Sequence, residues 1–77
     1  MPHVTVRMNA GRSEAVKAQL AEAITQAVMT VVGSQVEAVS VGIEDVQPSE
    51  WMTQVYGPEI EGKQEQLYKR PGYGPAK

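Results

Sequence analysis

The sequence predicts an α/β (α+β) chain built on one β-α-β unit with parallel strands. Three stretches predict it. Residues 2–8 alternate apolar and polar side chains, residues 14–32 repeat at the helical period, and residues 38–46 alternate again. Strand, helix and strand in that order form a crossover unit, which is right-handed in nearly all proteins.

The first strand, "PHVTVRM", sends Val4, Val6 and Met8 to one side and His3, Thr5 and Arg7 to the other. Period-two alternation with β-branched residues is the strand signal. Pro2 suits the first residue of a strand, because proline has no N–H to give a ladder. "NAGRS" then breaks the alternation, and Ser13 fits the N-cap of a helix over residues 14–32. Val16, Leu20, Ile24 and Val28 form its apolar stripe, widened by Ala23, Ala27 and Val31. Glu14 lies in the first turn, where the helix dipole favours an anion, and Gly33 suits the stop. In the second strand, Val39, Val41 and Ile43 share one face and Ser40, Gly42 and Glu44 the other.

Beyond residue 46 the pattern is weaker. "QPSEW" reads as a turn into a short helix over about 50–56, and Gly57-Pro58 reads as its end. A second short helix follows over about 58–69. The Pro/Gly-rich tail from about residue 70, "RPGYGPAK", is expected to be disordered or laid across a partner. Residues 1–77 are read as a single domain.

Size and composition narrow the function classes. A chain of 77 residues needs help to stabilise its small core: disulfides, a metal or oligomerisation. It has no cysteine and one histidine, so neither a disulfide nor a structural zinc site is expected. Oligomerisation remains. A two-stranded sheet with a helix on one face is marginal alone, and its exposed edges invite pairing with another chain. A symmetric homodimer would complete a four-stranded sheet; a hexamer is the alternative. The net charge of −2 with scattered basic residues gives nucleic-acid binding no support. Neither a membrane span nor a secretory signal is read, so a cytoplasmic location is expected.

Pro2 raises a sharper possibility. Removal of Met1 would leave Pro2 with a free secondary amine, which can act as a base. The combination of Pro2, "GRS" at residues 11–13 ahead of the helix, and the spacing to "AVSVGIEDV" resembles the 4-oxalocrotonate tautomerase family. The resemblance covers nearly the whole chain. "QP-x-x-W" and Lys69-Arg70-Pro71-Gly72-Tyr73 are similar to the family's bacterial phenylenolpyruvate tautomerase branch.

That resemblance implies the tautomerase fold and a cofactor-free enol–keto isomerase that needs no metal. Pro2 would be the general base, moving a proton from the enol oxygen to carbon. Arg12 would hold a substrate carboxylate or carbonyl, and Trp51 would lie near the active-site aromatic position. Ser40 stands where the best-known members carry a second arginine, which favours a monocarboxylate with an apolar or aromatic end. An α-amino group has an ordinary pKa of about 7.7–8.0. Burial and a nearby cation lower it toward the pH at which a base works best. Two other readings stay open: a catalytically silent oligomeric binding module, and a related dehalogenase or decarboxylase. Independently of these, Trp51 fits an interface plug as well as a site wall, and Ser40 fits a plain strand residue.

Overall fold

A computed structural model describes all 77 residues. The chain divides into two compact units, Met1–Val46 and Gln47–Lys77.

The first unit is the expected β-α-β motif: strand β1 (His3–Asn9), helix α1 (Glu14–Val32) and strand β2 (Ser40–Val46). The strands pair in parallel, from His3 opposite Ser40 to Asn9 opposite Val46. This register puts Val4 beside Val41 and Val6 beside Ile43 on the face that is partly covered. His3 and Ser40, Thr5 and Gly42, and Arg7 and Glu44 meet on the other face. Arg7 and Glu44 form an ion pair at 3.0 Å. The second strand opens two residues later than the sequence predicts. Val36–Ala38 make a short 3-10 turn first, closed by the bond from the Val39 N–H to the Val36 carbonyl.

Helix α1 has the predicted ends. The Ser13 hydroxyl accepts from the Val16 N–H at 3.2 Å. Gly33 closes the helix in the left-handed region, at φ 83°, with its N–H on the Met29 carbonyl. The helix packs on β2, and its packed stripe is turned from the predicted one. Leu20, Ile24 and Val28 are half-buried as expected, but their flanking partners are Ala21, Thr25 and Met29. Val16, Ala23, Ala27 and Val31 face solvent, and no residue of α1 is fully buried. Lys17, at the helix start, is half-buried on the same side as this stripe. Its ammonium lies 2.6 Å from Asp45 at the end of β2 and 3.1 Å from Glu14. These two carboxylates, Asp45 foremost, raise its pKa above the ordinary 10.5.

The second unit corrects the predicted segmentation into helices 50–56 and 58–69. A 3-10 turn (Pro48–Glu50) leads into a π-helical segment (Met52–Ile60), followed by a 3-10 segment (Glu61–Gln66). The helical path runs through Gly57-Pro58 without a break. In an α-helix the proline ring collides with the carbonyl four residues earlier. The wider π turn gives that ring room, and such turns are a usual response to strain in a helix.

The tail does not hang free of its own unit. Tyr56 is 1% exposed, and its hydroxyl accepts from the Ala76 N–H at 2.7 Å. The same hydroxyl donates to the Tyr73 carbonyl at 3.2 Å. Arg70 donates to the Gln64 side chain and to the Ala76 carbonyl. Gly74, at φ 74°, passes so close to the Tyr56 phenol that a Cβ there would collide with it. Residues 70–77 thus form a strap folded over Tyr56. No helix is long and apolar enough to cross a membrane.

Candidate functional site

Pro2 stands at the head of β1 and is half-buried. Having no N–H within the chain, it joins the sheet only through its carbonyl, which accepts from the Ser40 N–H at 3.1 Å. The Ser40 side chain is 2.6 Å from His3 Nδ1, and the Thr5 hydroxyl is 3.2 Å from His3 Nε2. Both imidazole nitrogens therefore have hydroxyl partners, and the ring is oriented along the outer sheet face. The structure brings Pro2, His3 and Ser40 together at one end of the sheet. The His3–Ser40 bond was not read from the sequence, because the register that joins residues 37 apart is a long-range property.

Arg12 lies at the other end of the strand. Its Nη1 donates to the Asn9 carbonyl at 3.0 Å, which pins the guanidinium beside the last residue of β1. Seven residue steps along β1 lead from Pro2 to this anchor at Asn9, about 23 Å at ~3.3 Å per residue. Arg12 and Pro2 of one chain therefore cannot grip the same small molecule. One of the guanidinium donors is used on Asn9, and the remaining N–H groups keep the fork geometry suited to a carboxylate.

Trp51 belongs to the second unit, between the 3-10 turn and the π-helical segment. It is half-buried, and its indole Nε1 donates to the Tyr73 hydroxyl at 2.8 Å. The Tyr73 ring packs against Tyr56 with centroids 5.3 Å apart and planes tilted by 49°. Sequence reasoning placed Trp51 and Tyr73 in separate motifs and had no signal for their pairing. The two residues are 22 positions apart and meet only because the strap folds back.

Comparison with known proteins gives a consistent picture. The family model described as "Tautomerase enzyme" matches residues 2–59. A protein of Xylella fastidiosa named "Probable tautomerase" is 50% identical over 74 residues, covering 96% of this chain and 90% of that protein. "Tautomerase PptA" of Cronobacter sakazakii is 34% identical, covering 95% of this chain and 97% of that one. Among solved structures the chain is similar to TomN, a 4-oxalocrotonate tautomerase homologue in the tomaymycin biosynthetic pathway. The TM-score is 0.64 at 34% identity, covering 83% of this chain and 95% of that one. A crystal structure of apo unfused 4-OT superposes with a TM-score of 0.59 at 30% identity, covering 60% and 79%.

Proposed function

Since the chain belongs to the tautomerase family of enzymes, we propose that it interconverts an enol and its keto form with Pro2 as the base. The substrate class is a 2-hydroxy-enol or arylpyruvate-type monocarboxylate. The observation that carries this reading is Pro2 itself: the family match opens on it, and it heads β1 with only its carbonyl tied to the sheet. Removal of Met1, which is fully exposed, would free the amine without disturbing that bond.

The proton transfer balances without a cofactor. The amine lone pair of Pro2 takes the enol O–H proton, and the O–H electron pair becomes the carbonyl π bond. The C=C pair then takes a proton back from the pyrrolidinium to form the C–H bond. The ring holds its nitrogen rigidly, so little entropy is lost in placing it. Arg12 pairs with the substrate carboxylate through its fork and stabilises charge that develops on the conjugated acid as the proton moves. Ser40, whose hydroxyl bonds His3 Nδ1, stands where a second cation would favour a second carboxylate. Trp51 supplies an apolar wall for the ring and excludes water.

This assignment needs a second copy of the chain. With about 23 Å between Pro2 and the Arg12 anchor, each site takes its base from one protomer and its arginine from another. Self-association also gives the exposed edges of the two-stranded sheet a partner. A homodimer is the assembly proposed. Co-expressing Pro2→Ala and Arg12→Ala chains tests the shared site. Each variant alone is expected to be inactive, and the mixed oligomer is expected to regain activity, because one of its sites keeps both residues. Mixed oligomers as inactive as the two parents would refute the shared site.

A further inference from the structure

The "KRPGY" stretch has no part in the reaction as described, although its tyrosine touches a residue that does. We propose that Tyr73 is a positioning residue: its phenol fixes the Trp51 indole as a flat wall and so selects ring-bearing enol acids over ring-less ones. This rests on the proposed place of Trp51 at the substrate's aromatic end.

The direction of control follows from what holds each partner. The strap is anchored without the Tyr73 hydroxyl. The Tyr56 hydroxyl takes the Tyr73 carbonyl and the Ala76 N–H, and Arg70 takes the Ala76 carbonyl. The Tyr73 ring rests on Tyr56, whose own ring is 1% exposed and fixed in place. Gly74 allows the turn that brings the backbone against that phenol. The Tyr73 oxygen is thus placed by backbone and ring contacts. The Trp51 indole, a donor with no other polar atom, is what the bond orients. Tyr73 is 46% exposed, so this phenol fills no core. An indole held in one orientation pays less ordering entropy when an aromatic ring settles on it. A ring-less acid makes no use of that face.

Tyr73→Phe tests this, since it removes the acceptor oxygen and keeps the ring and the strap's backbone anchors. Trp51 is the only tryptophan, so its fluorescence and its indole N–H resonance report on it alone. Two probes separate the ring from the carboxylate: 3-phenylpropanoate and propanoate. In Tyr73→Phe the indole resonance is expected to move. The Kd for 3-phenylpropanoate and the KM for phenylenolpyruvate are expected to rise about 3- to 10-fold, the range of one lost hydrogen bond. The kcat and the propanoate affinity are expected to hold. Trp51→Phe, which drops the donor and keeps a flat ring, is expected to reproduce the selective loss, with no further loss in the double variant.

Equal weakening of both acids would mean a structural cross-link and overturn the proposal. So would unchanged affinity for 3-phenylpropanoate despite a shifted indole resonance, or no binding of it by the unaltered protein. Failure of the enol reading looks different. Tyr73-dependent binding of 3-phenylpropanoate without Pro2-dependent ketonisation would support the aryl wall and sink the reaction assigned to it.

Discussion

Replacing Tyr56 by Phe removes one oxygen and tests how the strap is held. That oxygen accepts from the Ala76 N–H at 2.7 Å and donates to the Tyr73 carbonyl at 3.2 Å. Tyr56 and Ala76 are each 1% exposed, so the N–H would be left buried without a partner. Stranding a buried donor costs about 1–3 kcal/mol. The Tyr73 carbonyl loses a longer bond and keeps a second lone pair, so it adds little. Hydrogen exchange at the Ala76 amide reads this cost directly, since exchange follows the free energy of local opening. A loss of 1–3 kcal/mol corresponds to exchange faster by roughly 5- to 150-fold. The Ser40 amide, bonded to the Pro2 carbonyl in the first unit, serves as the control and is expected to keep its rate. An Ala76 rate changed by less than about twofold would refute the claim that the Tyr56 hydroxyl holds the strap. Equal acceleration at Ser40 would show general destabilisation instead.

Two further outcomes follow from the same geometry. The pKa of Lys17 is raised in the folded chain by Asp45 and Glu14. Its stabilising contribution is therefore full below the unfolded value, near the ordinary 10.5, and is lost as pH rises through the higher folded value. Urea midpoints of the parent chain and Lys17→Met are expected to differ at pH 8 and to converge as pH rises through the raised folded value; a constant gap would refute this linkage. Light scattering on the purified protein is expected to give the mass of two chains, and a mass near six would exclude the homodimer.

How far the sequence could be read depended on the range of the interactions involved. The β-α-β unit was legible because its signals are local: alternation in β1 and β2, and a cap at each end of α1. The helix boundaries at Glu14 and Val32 match the expected ones for that reason. The packed stripe was less legible. Leu20, Ile24 and Val28 fit either rotation, and the choice between them is made by long-range packing on β2, which helical periodicity alone does not carry. The second unit was misjudged because Gly57-Pro58 ends an α-helix but not a π turn. Its stability also depends on contacts between Tyr56 and Ala76, 20 residues apart. In the candidate site, Pro2, Arg12, Ser40 and Trp51 were all named from the resemblance. The separation of Pro2 from Arg12 along one strand was implicit in the spacing. The pinning of Arg12 to the Asn9 carbonyl makes it definite.

The central claim is that the amine of Pro2 moves the proton. Its most direct test is the ketonisation of phenylenolpyruvate, followed by ultraviolet absorbance, with protein whose intact mass shows Met1 removed. Decay well above the uncatalysed rate, collapsing to that rate in Pro2→Ala, is the predicted result. Equal decay in both proteins, whether fast or at the background rate, would contradict it: fast decay would place the base elsewhere, and background decay would leave Pro2 only a strand starter toward this substrate.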